Sequence, residues 1–211
     1  MKTDDLIALL AQDTSVRQNL NHLLLHALFA AVLIAGTVFV GFIGLRPDID
    51  SVMETGRFLF KFVVTISLAI TASAVLFRIG KPGVPTSFWT KTILIPVALI
   101  ALAAIIELCA VPSESWYVRM IGHNARFCLT FIPALAAGPL CCLLYALRHA
   151  APVRPAVAGA VAGLVAAGIA ATFYAANCDD DSPLFVVLWY TIAISAVALV
   201  GAIFGRVLLR W

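Results

Sequence analysis

Residues 23–45 read LLLHALFAAVLIAGTVFVGFIGL, with His26 and Thr37 as the only polar side chains. A helix rising about 1.5 Å per residue crosses the roughly 30 Å hydrocarbon core of a bilayer in about 20 residues. This run is long enough to do so. Five further apolar runs follow, at 58–79, 92–111, 126–147, 155–176 and 183–208. In lipid every backbone N–H and C=O must find its partner inside the protein, which leaves helices or a closed barrel. None of the runs shows the period-2 alternation of a barrel strand. The sequence therefore predicts an all-α, polytopic membrane protein with six transmembrane helices, a bundle over 22–211 preceded by a separate tail over 1–21.

Composition agrees. Hydrophobic residues make up 63% and charged residues 12% of the 211, which excludes a water-soluble globule. The net charge of +3 says less than its placement. With the N-terminus in the cytoplasm, the inner segments carry Lys2, Arg17, Arg78, Lys81, Lys91, Arg148, Arg154, Arg206 and Arg210. The outer side holds Arg46, Arg57, Arg119 and Arg126, with Lys61 just inside the second run, together with most of the acids. The positive-inside rule then places both termini in the cytoplasm. The first run is too long for a signal-peptide core, and no small-x-small cleavage site ends it, so it reads as an anchor. The basic residues stand singly at membrane borders, a pattern that anchors helices and gives no nucleic-acid footprint.

The tail has its own pattern. Thr3 can cap a helix whose first turn holds Asp4 and Asp5, where negative charge is favoured beside free amides. Leu6, Leu9 and Leu10, with Ile7, form an apolar stripe. So short a helix needs a surface to be stable. Its polar face is acidic where a membrane-surface helix is usually basic, which points to a protein partner.

Within the bundle, Gly159-x-x-x-Gly163 and Gly201-x-x-x-Gly205 read as close helix packing. Pro96, Pro133 and Pro139 should bend their helices or free carbonyls. Charge inside a membrane is costly and often functional. Lys61 sits near enough to the outer interface to snorkel, and Glu107 is placed to pair with it. His22 and His26, at i and i+4, share a helix face but have no further ligand nearby to complete a metal site. No catalytic triad, phosphate loop or paired-carboxylate motif is present.

The five cysteines divide by depth. Cys109 ends the third run, Cys128 begins the fourth and Cys178 lies between the fifth and sixth, all on the outer side. Cys141 and Cys142 lie about 20 Å deeper along the fourth helix and read as packing residues. Cys128 and Cys178 are expected close to the water of an oxidising compartment, with Arg126 near the first and Asn177 and Asp179–Asp181 around the second. A cation near a thiol favours the thiolate, which attacks oxidants and binds soft metals. The same residues also admit two unrelated free thiols, or a static disulfide.

The stretch RPAVAGAVAGLVAAGIAATFYAANCDDDSPLFVVLWY, residues 154–190, resembles the diagnostic region of the bacterial NrsF-type anti-sigma family. The opening MKTDDL, the 126–128 start of the fourth helix, Gly138–Pro139 and the Arg210–Trp211 terminus are similar too. The resemblance implies a multi-pass protein of the bacterial inner membrane that holds an extracytoplasmic-function sigma factor inactive. It implies no enzyme activity, no cofactor and no direct nucleic-acid contact, and partners that are the sigma factor and the lipid bilayer. It carries signal sensing, of an oxidant or a soft metal, onto Cys128 and Cys178. The family pattern places His before the second cysteine and Pro after it; here Asn177 and Asp179 stand instead, leaving thiols without an imidazole. The tail lacks the His-x-x-x-Cys-x-x-Cys pattern of zinc-containing anti-sigma domains, so Asp4, Asp5, Leu6, Leu9 and Leu10 are the implied sigma-binding surface. Two other classes fit the residues: a small ion or metabolite transporter working through Lys61, Glu107 and the helix prolines, or a membrane thiol oxidoreductase, although no C-x-x-C pair is present.

Overall fold

A computed structural model of the chain describes residues 20–81, 87–150 and 152–210. The tail residues Asp4, Asp5, Leu6, Leu9 and Leu10 lie outside the described residues. Six helices among those described are long and apolar enough to span a membrane: α1 (Leu20–Phe42), α2 (Gly56–Ile79), α3 (Phe88–Ala110), α4 (Ala125–Leu147), α5 (Pro155–Ala175) and α6 (Pro183–Leu208). They match the six apolar runs to within a few residues at each end.

Local chemistry sets the ends. Gly44 takes φ +77°, a conformation natural to glycine, and its N–H donates to the Phe39 carbonyl at 2.8 Å to close α1. Pro155 and Pro183 open α5 and α6, where a missing N–H costs nothing. Pro133 and Pro139 sit inside a continuous α4, whereas α3 is interrupted at Ile93, just before Pro96. Pro96 cannot donate to Thr92, and the helix yields one turn earlier. In α6 the stretch Val186–Tyr190 widens into a π turn, which rotates the remainder of that helix away from the phase of a plain α-helix.

α5 is the hub. It packs against α6, α2, α4 and α1, while α1 also lies along α4, and α3 lies at the edge against α2. Its buried residues are mostly Ala and Gly and face every direction, as expected of a helix buried all round. The α5–α6 contact is backbone on backbone: a Cβ on Gly159 would sit 2.1 Å from the Gly201 carbonyl oxygen, and one on Gly205 2.5 Å from that of Pro155. Lipid supplies no hydrophobic drive between helices, so close approach of small residues does the holding. The two small-x-x-x-small motifs thus meet each other.

The loops 43–55, 111–124 and 176–182 converge at one end of the bundle, termed the cysteine end; residues 80–81, 148–150 and Leu20 gather at the other. Gly159→Leu is expected to force α5 and α6 apart and to lower bundle stability by about 1–3 kcal/mol or more, read as a fall in Tm of the purified protein.

Candidate functional site

Cys128 lies in the first turn of α4, its N–H donating to the Asn124 carbonyl at 2.8 Å. Cys178 lies just past α5, its N–H donating to the Tyr174 carbonyl at 3.0 Å, which carries the helical pattern one step beyond the helix. Fifty residues of chain separate them, and the fold brings their side chains into direct interaction as two free thiols. Tyr174 from α5 and Tyr190 from α6 complete the cluster, with the sulfurs acting on both phenols. Neither phenol oxygen finds a hydrogen-bond partner in good geometry among the described residues. The π turn ends at Tyr190 and delivers that ring to the sulfurs.

The sulfurs are not at the water. Cys128 is 0% and Cys178 1% exposed, against the expectation of contact with solvent. The loop 177–182 folds over them, and an end-of-helix position in sequence says nothing about such a cover. Arg126 points outward and the cation acting on both thiols is Lys61. Cys109 and Cys141 are exposed on other surfaces and Cys142 is half-buried, so none of the three joins the pair.

Every polar residue of the covering loop is fastened. Lys61 is 1% exposed, and its Nζ donates to the Cys178 carbonyl at 2.8 Å and pairs with Asp181 at 2.5 Å, over the face of Phe58. Arg46, just beyond α1, forks onto Asp48 with two 2.7 Å bonds and reaches Asp181 at 3.1 Å and the Cys178 carbonyl at 3.3 Å. The fork holds the Asp48 carboxyl below the usual carboxylate range and keeps the Arg46 guanidinium firmly charged. Asp179 accepts from the Asn124 side chain, and Asp180 accepts from the backbone N–H groups of His123 at 2.8 Å and Asn124 at 2.7 Å. Gly122 makes this possible: at φ +58° it turns the two amides toward Asp180, and a Cβ there would lie 2.5 Å from Phe185 and 2.7 Å from the carboxylate.

The expected Lys61–Glu107 pair does not form. Glu107 instead accepts from Ser182 Oγ at 2.8 Å and the Leu184 N–H at 3.2 Å, and pairs with Arg119 at 3.2 Å and Arg57 at 3.6 Å. Lys61 does not snorkel, because Asp181 and a carbonyl satisfy it inside. The two costly charges hold opposite ends of one loop.

Cys178 carries the reactive signature. Its thiol is held below the ordinary cysteine range, first by the hydrogen bond from Cys128 and then by the Lys61 charge, with burial opposing both. A hydrogen-bonded thiol and thiolate can attack a soft electrophile or share a soft cation. Among the described residues no group of three or more His, Cys, Asp or Glu is placed to hold a metal, and His26 Nδ1 bonds the His22 carbonyl at 2.7 Å instead.

The model of the family "NrsF: Negative regulator of sigma F" matches residues 10–211. The chain belongs to the NrsF family. Its relatives include the anti-sigma-F factor NrsF of Caulobacter vibrioides, 30% identical, and a probable anti-sigma-F factor NrsF of Azospira oryzae, 28% identical. Both alignments cover 100% of each chain. No solved structure matches. In this NrsF-family chain, the resemblance stretch 154–190 is the segment that supplies the hub helix, Tyr174, Cys178, the acidic loop and Tyr190. Sequence reasoning missed the two tyrosines, Gly122 and the targets of Lys61. A tyrosine four residues before Cys178 was the one available signal for Tyr174; nothing local marked the rest.

Asp180→Ala should leave two amides without an acceptor, at about 1–3 kcal/mol. The loop then opens more often, and alkylation of Cys178 in the folded protein accelerates. In the unmodified chain, that alkylation should persist as pH falls below the range of an ordinary thiol, because the depressed group stays ionised there; a profile matching free cysteine would contradict the geometry.

Proposed function

We propose that this chain is an anti-sigma factor of the bacterial inner membrane. It holds an extracytoplasmic-function sigma factor at the membrane through its cytoplasmic tail, 1–21, and releases it when Cys128 and Cys178 meet an oxidant or a soft metal. Family membership and the printed names of the relatives support the anti-sigma role. The single observation that carries the sensing role is the meeting of two sequence-distant thiols, one of them activated, beneath a loop fastened by hydrogen bonds and ion pairs. The positive-inside distribution supports a cytoplasmic tail and a periplasmic cysteine end.

The chemistry balances without a cofactor. With a hydroperoxide, the Cys178 thiolate takes the terminal OH to form a sulfenic acid and expels an alkoxide. The Cys128 sulfur displaces hydroxide from it, and two thiols plus hydroperoxide become a disulfide, an alcohol and water. A soft cation instead takes both thiolates and releases their protons. Burial makes loop opening the first step in either case. A disulfide requires its Cα atoms within about 7 Å, so closing the bond constrains α4 against the end of α5.

The displaced loop pulls on Arg46, which adjoins α1, and α1 is the helix that runs to the tail. In the tail, Leu6, Leu9 and Leu10 lay their stripe into a groove of the sigma factor, beside Asp4 and Asp5. Each tenfold of release requires about 1.4 kcal/mol of coupling. A transporter is less well supported, because Lys61 and Glu107 are both committed to the loop.

Leu6→Asp or Leu10→Asp should abolish co-purification of the sigma factor with the membrane protein. Alanine at both Cys128 and Cys178 should keep repression and eliminate induction by hydroperoxide or a soft cation, measured with a sigma-dependent reporter. Constitutive release by the double alanine variant, or normal induction, would refute sensing by the pair.

A further inference from the structure

The cations around the thiols are buried more deeply than the carboxylates that face them. Two cations lie buried at the site, Arg46 at 7% and Lys61 at 1% exposure. Of their two carboxylates, Asp181 is largely enclosed at 20%, while Asp48 is 53% exposed and faces screening solvent. A buried ammonium needs close negative charge. Lys61 gives one bond to Asp181, which it shares with Arg46, and another to the backbone carbonyl of Cys178 itself. That second bond brings its charge onto the residue whose sulfur it affects. The remaining charged and titratable groups that face Cys178 are few: Cys128 from α4, Tyr174 from α5, Tyr190 from α6, and Asp180 and Asp181 from its own loop. Arg46 also reaches the Cys178 carbonyl, at 3.3 Å, but Lys61 is the cation that acts on the sulfur.

We infer that Lys61 is the counter-ion of a Cys178 thiolate, a positioning residue that charges the sulfur pair and joins that charge, through Asp181 and Arg46, to the loop and to the end of α1. This rests on the reading of Cys128 and Cys178 as the sensing pair and supplies its electrostatic half. When the sulfur forms a bond to an electrophile, its negative charge is gone. Lys61 and Arg46 then compete for Asp181, and the contacts that hold the loop rearrange. The signal passed toward α1 is the loss of a buried anion as well as the bond.

The test is the pH profile of Cys178 alkylation by iodoacetamide, which forms a thioether and releases iodide, in the purified full chain and followed by peptide mass. The midpoint is the readout, because loop opening scales the rate equally at every pH. Lys61→Met should raise the midpoint by a pH unit or more, on the order of tenfold slower reaction at pH 7. Lys61→Arg should keep it low. The double variant Lys61→Met with Asp181→Asn, which leaves no unpaired carboxylate, should raise it too, whereas Asp181→Asn alone should speed the reaction without raising the midpoint. A wild-type midpoint in both Lys61→Met variants overturns the inference. Failure of the reading beneath it looks different: cysteine-to-alanine variants that still respond to the signal, with the Lys61 shift intact.

Discussion

An ammonium in an apolar helix is stable only where the protein surrounds it with acceptors, and Lys61 finds them in a loop more than a hundred residues away. That requirement organises the cysteine end. It draws residues 177–182 down onto α2, brings Arg46 in from α1 to share Asp181, and seals the space in which Cys128 and Cys178 meet. Glu107 does the same for the far end of the loop through Ser182 and Leu184. The bundle beneath is held by shape, with glycine faces in contact and little polar chemistry in its depth.

The two halves of the molecule therefore differ in what can move them. Backbone-on-backbone packing between α5 and α6 is stiff, since any displacement loses many contacts at once. The loop is held by a handful of hydrogen bonds and ion pairs, to Lys61, Arg46, Glu107 and the 123–124 backbone amides. In the mechanism we propose, a chemical event at the sulfurs acts on the part that polar contacts hold, and Arg46, bonded to the Cys178 carbonyl, links it to the end of α1.

Much of the architecture was legible in the residues. Six runs of the right length in an apolar chain leave one solution in lipid, and the Gly159 and Gly201 motifs announced a tight pair. Cys128 and Cys178 stood out by their level and polar neighbours, and only the family resemblance made a couple of them. Their surroundings were not legible. The exposure expected of Cys178 failed because a three-aspartate loop looks solvated until its partners are known, and each aspartate proved to have one on another segment. Lys61 and Glu107 were both recognised as costly, yet pairing them by depth chose the wrong partners.

Spacing and hydropathy fix the number of spans, their ends and which cysteines share a level, because these come from helix rise and from the cost of exposing backbone to lipid. Which side chains touch across helices depends instead on rotation about each helix axis, altered by the glycine contacts of α5 and the π turn of α6. That rotation places Tyr174 and Tyr190 on the sulfurs and Lys61 beneath the loop. No one-dimensional pattern carries it, since each angle is settled by packing against all the neighbours together.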